Sequence, residues 1–519
     1  MKKNDQPTTV EVRPLSLSAP AAEIKEALRM VRCPVRILSD NGEVQGFAPA
    51  VLPENLGDPG FCADLGIRYP YLGGSMAKGI SSVAMAEELG RAGMLGFFGA
   101  AGLPVPVVED AIEKLLATGL PFGFNLIHSP HEPDLEKVLA EMYINKGVRL
   151  VEASAFLALT LPLVRYRVHG IHRLPDGTIN TPNRIIAKVS REELAERFFS
   201  PPPEKFLRQL VAEGAITEEQ AGLAANIPMA QDITAEADSG GHTDNRPAIA
   251  LFPTILSLAE RMRNKFGYNF KLRVGLGGGI STPASAAAAF AMGAAYIMTG
   301  SVNQACLESG TSDDVRQLLA ATRQADVMMA PAADMFEMGV TVQVLKRGTM
   351  FAMRAAKLYE IYRACPGIDA IPAADKEKLE KTFFLTSMED IWNQTRTYFL
   401  KRDPRQVERA ERDQKHLMAL VFRWYLGQGA HWAKDGNTAR KMDYQVWCGP
   451  AMGAFNEWAS GSFLESPEQR KIATVAMNIL FGAAILSRAS ILRFQGLELP
   501  AEALAAEPLE DHQMKECLA

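Results

Sequence analysis

From about residue 68 to residue 305 the chain repeats one unit: a short apolar run, a turn signal, then apolar residues at helical spacing. The apolar runs fall at 69–73, 94–98, 121–126, 149–153, 184–188, 232–237, 271–275 and 296–299. Helical patterns fill most of the gaps, at 82–92, 108–116, 135–145 and 284–292. Near-continuous apolar strands alternating with helices specify a parallel sheet covered on both faces. Eight such strands predict an α/β fold, a (β/α)8 TIM barrel of the usual ~250-residue size. A doubly wound open sheet is the competing arrangement.

Two insertions interrupt the rhythm. Asp176-Gly177 marks a hairpin within 169–183, and helical patterns around Pro201-Pro202-Pro203 lengthen the connection over 190–228. Downstream of 306 strand signals largely vanish, and helices are predicted at 313–325, 354–363, 375–381, 388–398, 406–425 and 468–493. The expected organisation is an N-terminal segment packed on the barrel (1–60), the barrel (61–305) and a mainly helical lid (306–519).

Composition narrows the function. With 55 basic against 60 acidic residues the net charge is −5, which argues against a nucleic-acid binder. Six cysteines without a CxxC pair suit neither a zinc site nor a disulfide framework; no metal site is expected, and a reducing cytoplasm fits. Residues 4–13, after Lys2 and Lys3, are too polar for a signal peptide. The apolar run 472–486 falls short of the ~20 residues that span a bilayer and contains Thr474 and Asn478. It is expected to be a buried helix, with no membrane partner.

Three strand ends converge on one kind of site. Gly277-Gly278-Gly279-Ile280 follows the seventh candidate strand, and Gly300-Ser301 follows the eighth. Glycines there let backbone N–H groups approach an anion, and these two loops are the usual phosphate site of a barrel. Asp238-Ser239-Gly240-Gly241-His242 ends the sixth strand, where an imidazole at the mouth suits proton transfer. Across the mouth, Gly73-Gly74-Ser75-Met76-Ala77 ends the first strand and Asn125 lies on the third. A glycine run admits a flat ring close to the backbone, and an amide can pair with a heterocycle. Together these residues outline a pocket for a flat, phosphate-bearing cofactor. Lys188, a charge inside an apolar run, needs a partner: either a ligand, or Glu152 or Glu236.

These motifs resemble the FMN barrel of nitronate monooxygenases and flavin-dependent enoyl-ACP reductases. The resemblance narrows with Val151-Glu152-Ala153-Ser154-Ala155-Phe156, Ile186-Ala187-Lys188-Val189-Ser190, Val344-Leu345-Lys346-Arg347-Gly348 and Ala419-Leu420-Val421-Phe422-Arg423-Trp424-Tyr425. These runs are similar to the PfaD-like trans-acting enoyl reductases of polyketide and polyunsaturated-fatty-acid synthases, over roughly residues 55–460. The wider superfamily commonly carries Glu-Ala where this chain has Asp238-Ser239 before Gly-Gly-His, which weakens any transfer of nitronate chemistry.

The resemblance implies FMN as cofactor and NADPH as reductant, with NADH the alternative. Gly277, Gly278, Gly279, Gly300 and Ser301 would hold the FMN phosphate. Gly74, Ser75 and Met76 would lie along the isoalloxazine, with Asn125 at its polar edge and Lys188 near the flavin. Asp238, Ser239, Gly240 and Gly241 would complete the site, and His242 would act on the substrate. The substrates would be enoyl thioesters on the phosphopantetheine arm of acyl carrier proteins. Rival readings are a nitronate-type flavin oxidase and a non-catalytic carrier-docking protein. Carriers are generally acidic, so a basic patch is expected, at Lys346, Arg347, Arg354 and Lys357 or on the 405–415 helix. Whether the chain forms a homodimer is left open.

Overall fold

The computed structural model describes residues 12–128 and 133–518. Most of the polar opening stretch weighed against an export signal therefore lies outside the described residues. Eight parallel strands close into a barrel: β1 (Tyr71–Gly73), β2 (Leu95–Phe98), β3 (Phe122–Ile127), β4 (Leu150–Ser154), β5 (Arg184–Val189), β6 (Asp232–Glu236), β7 (Arg273–Gly277) and β8 (Ile297–Thr299). Each pairs with its neighbour in sequence, and β8 returns to β1 through Ile297 opposite Tyr71 and Thr299 opposite Gly73. The barrel rather than the open sheet is thus the fold. Strand β7 lies two residues later than predicted. Lys271 is exposed and pairs with Asp58 at 2.7 Å, whereas Leu276 and Gly277 pair with β8.

Inside the barrel, the helix Pro59–Leu65 inserts Phe61, which stacks on Tyr296 at 4.2 Å between ring centroids. Gly275 leaves room for that tyrosine: a Cβ there would sit 2.2 Å from its ring. The inserted hairpin is present as His172–Arg173 against Ile179–Asn180. Three helices (Glu192–Phe199, Glu204–Ala212 and Glu218–Ala224) fill the long connection between β5 and β6.

The C-terminal part departs from its helical forecast. Val327–Pro331 and Thr341–Leu345 form an antiparallel pair, and Gly241–His242 from the barrel mouth adds a third strand to it. The helix predicted at 406–425 is broken into Pro404–Ala410 and Gln414–Asp435. Asp413 starts the second by accepting from the backbone N–H groups of Lys415 and His416.

Before the barrel, Arg13–Ser16, Val35–Leu38 and Val44–Ala48 form a small sheet, also unforeseen. It shares a core with the helix Ile472–Phe494, which is long and apolar enough to cross a membrane but is largely buried. That helix also lies against the barrel helix Pro283–Ala291, where a Cβ on Gly482 would come 2.5 Å from Pro283. Its Arg488 is fully buried and donates to the carbonyls of Ala27, Leu28, Met30 and Cys33. Burial among these carbonyls, without a carboxylate, pushes the pKa of Arg488 down to about 10.

Candidate active site

The carboxyl ends of parallel barrel strands face one mouth, and the loops there build the site. Here the mouth and the C-terminal part enclose a cavity of about 370 Å³. Fourteen of the fifteen expected site residues line it; Asp238 does not.

On the barrel side, a buried polar cluster sits among β1, β3, β4 and β5. Glu152 on β4 has no exposed side-chain surface. It accepts from the Ser75 N–H at 3.0 Å, the Ser75 hydroxyl at 2.8 Å and the Ser154 hydroxyl at 3.1 Å. Lys188 stands 3.4 Å from Glu152 and 2.9 Å from Glu236, so both carboxylates weighed as its partners hold it. Burial opposes its charge, but the two carboxylates outweigh burial and hold the ammonium well above its usual pKa. Asn125 donates through Nδ2 to the Glu152 carbonyl at 3.4 Å and to the Ser154 hydroxyl at 3.2 Å.

On the opposite side the walls are bare backbone. Gly278 and Gly279 adopt left-handed φ values of +81° and +75°. A Cβ on Gly279 or Gly300 would meet nothing within 4 Å. The Ser301 hydroxyl accepts from the Gly449 N–H at 3.1 Å, which ties the β8 loop to the C-terminal part. Ser239 presents a buried hydroxyl with no partner among the described residues. Backbone packing is close here: a Cβ on Gly240 would approach Cys448 N to 2.8 Å.

Asp238 joins the loop to the sheet instead of facing the cavity. Its Oδ1 accepts from Asn245 Nδ2 at 2.8 Å and from Gln343 Nε2 at 2.7 Å. Through these bonds Asp238 holds the Gly-Gly-His segment against its partner strand.

His242 pairs with Val342, and its Nε2 lies 3.2 Å from Asp334 Oδ1, in the loop between the two C-terminal strands. Burial disfavours the imidazolium, but the Asp334 hydrogen bond and the charges of Asp334 and Glu236 win, raising the pKa above 6.5. Asp334→Asn should move the His242 titration, followed by NMR, to lower pH. Because the folded pKa is raised, the pair's stabilisation is full below the unfolded pKa near 6.5 and is lost as pH rises through the folded value. In the Asn variant this loss should be absent; an unmoved titration would show that the pair does not form in solution.

Sequence reasoning missed Asp334, along with Lys78, Gln304, Gln445 and Trp447, which line the same cavity. Asp334 follows the run Met328-Met329-Ala330, whose residue types gave no strand signal. The expected basic patch also changes. Arg354 turns inward to Asp443, Arg347 pairs with Asp326 and Lys357 pairs with Glu360.

Comparison with known proteins gives these features a context. Residues 365–444, in the C-terminal helices, match the family described as acyl-carrier-protein S-malonyltransferase, inserted helical domain. A polyunsaturated fatty acid synthase component of Thraustochytrium sp. is 47% identical over 460 residues, 86% of this chain and 31% of that protein. Polyketide biosynthesis protein PksE of Bacillus subtilis is 44% identical over 447 residues, 86% of this chain and 58% of that protein. The chain thus spans only part of the length of these curated relatives. The crystal structure of the enoyl reductase domain of MlnA, from the macrolactin biosynthesis cluster of Bacillus amyloliquefaciens, superposes with a TM-score of 0.80 at 40% identity. That match covers 85% of this chain and 98% of the MlnA domain. At 40% identity over nearly the whole of the MlnA domain, the chain belongs to the PfaD-like family of enoyl reductases of polyketide and polyunsaturated fatty acid synthases.

Proposed function

We propose that the chain is an FMN-dependent oxidoreductase that uses NADPH to reduce the α,β-double bond of enoyl thioesters carried on acyl carrier proteins. The observation that carries this reading is His242, held by Asp334 and with its pKa raised by it, on the wall of a cavity whose other walls suit a flavin phosphate. The donor set fits FMN. Bare backbone at Gly279 and Gly300 leaves space for a phosphate, and the Ser239 hydroxyl, unpartnered among the described residues, lines the same cavity. A cavity of about 370 Å³ lies in the size range of cofactor sites.

The chemistry supplied by FMN, when bound, is hydride exchange with a nicotinamide and with an activated alkene. The chain's own residues do the rest. Gly74, Ser75 and Met76, with Ser75 held by its two hydrogen bonds to Glu152, would lie along the ring. Lys188, locked between Glu152 and Glu236 on the cavity wall, would place a fixed positive charge near it. His242 hydrogen-bonds the thioester oxygen, where negative charge gathers during reduction, and supplies a proton toward the α-carbon. Asp334, on the imidazole Nε2, orients the ring and raises its pKa. No GxGxxG unit follows an early strand, so the nicotinamide uses the same cavity before the acyl group does.

The test is a spectrum of the purified protein followed by anaerobic titration with NADPH. Flavin bands should bleach at one equivalent of NADPH per FMN and return on adding a crotonyl thioester without oxygen. A colourless protein that takes up no FMN would overturn the reading in favour of a carrier-docking role. Recovery only with oxygen would favour an oxidase.

A further inference from the structure

Two lysines line the cavity, and they are held differently. Lys188 is bound by two carboxylates. Lys78, in the loop after β1, forms no ion pair among the described residues; its Nζ donates to the Gly427 carbonyl at 2.9 Å. Its backbone takes φ +59°, a left-handed conformation unusual for a lysine. That conformation sends the side chain over Gly102, whose added Cβ would lie 3.5 Å from Lys78 Cγ. Beneath it, Lys434 Nζ lies 3.8 Å from where a Cβ on Gly79 would stand. Glu236 and Asp334 line the same cavity, so Lys78 is its one cation without a carboxylate partner among the described residues.

We propose that Lys78 is the recognition point for a phosphate group on a ligand that enters this cavity alongside the flavin. The inference rests on the enoyl reductase reading for the identity of that ligand. An ammonium acts on phosphate as a point charge, and Gly102 and Gly427 line the cavity beside it, with no atom within 4 Å of a Cβ on Gly427. Two ligands of the proposed reaction carry such phosphates, the nicotinamide dinucleotide and the phosphopantetheine arm. Burial, with Lys434 adding to it and Asp435 partly offsetting it, pushes the pKa of Lys78 down to about 8. His431, on the same helix, is pushed down to about 4 by burial and Lys78, so it stays neutral while Lys78 titrates. Phosphate recognition by the wild type should therefore weaken as pH rises through about 8.

The test uses Lys78→Gln and Lys78→Arg holoprotein, with flavin content and melting temperature checked first. Four probes are compared in steady state: NADPH, phosphate-free dihydronicotinamide riboside, crotonyl-phosphopantetheine and crotonyl-pantetheine. The Gln variant should raise KM about tenfold for one phosphorylated probe and leave its phosphate-free partner unchanged, with Arg restoring the wild-type value. A change confined to NADPH assigns the dinucleotide; one confined to crotonyl-phosphopantetheine assigns the arm. Equal changes within each pair, or a fall in kcat alone, would overturn the proposal. Calorimetric binding of NADPH and of phosphopantetheine separates it from the reaction. Lys78-dependent binding without enoyl reduction would keep the phosphate site while removing the enoyl reductase reading.

Discussion

Replacing His242 with alanine is expected to slow enoyl thioester reduction by about 10²–10⁴-fold, the range for losing a positioned acid. Flavin content and reduction by NADPH should stay near wild type. His242 is on the cavity wall, but its side-chain partner is Asp334 from the cap, not the Glu152–Lys188 cluster. Rapid mixing separates the two halves. The NADPH half follows the bleaching of the flavin bands, and the acyl half follows their return with a crotonyl thioester. Equal loss in both halves would assign His242 to positioning the nicotinamide instead.

Gly278→Val should yield protein with less than about a tenth of the wild-type flavin, because a branched residue is forced into a left-handed turn. The sequence argument for this glycine was space for a phosphate. The structure gives a harder obstacle: a Cβ would stand 2.6 Å from the Ala237 carbonyl carbon and 2.9 Å from the Asp238 oxygen. The β7 loop would have to move away from the base of the Gly-Gly-His segment, disturbing this part of the cavity wall and His242 together. Gly279→Ala is the informative contrast. It strains φ at +75° but meets open space, so its methyl group points at no protein atom within 4 Å. Flavin-to-protein ratio and melting temperature check both variants. Wild-type flavin content in Gly278→Val would remove this loop from the phosphate site.

The barrel was legible because parallel strands buried on both faces read as apolar runs, and most of the lining of the cavity at its mouth because glycines at strand ends are locally visible. What escaped depended on distance along the chain. His242 and Asp334 are 92 residues apart, and Arg354 and Asp443 are 89 apart, so no local pattern joins them. Arg354 looked like a surface cation on an amphipathic helix until Asp443 and the Phe383 ring, 5.3 Å away, enclosed it. The strand Val327–Pro331 carries two methionines, an alanine and a proline, a composition of weak strand preference, and is stabilised by pairing with Thr341–Leu345. The helix at 406–425 was read as continuous across Asp413, whose capping side chain starts a new one.

The strand shared by Gly241–His242 and Thr341–Leu345 sets a rule for recombination among modular synthases. A crossover between barrel and cap, near residue 306, passes the imidazole to one daughter and its carboxylate partner to another. Gln343, which grips Asp238, travels with the cap as well. Chimaeras joined there keep the His242–Asp334 pair only when the incoming cap restores both the aspartate and the edge on which the histidine segment pairs. Exchanges placed before β1, or after the three-stranded sheet is complete, leave the pair whole.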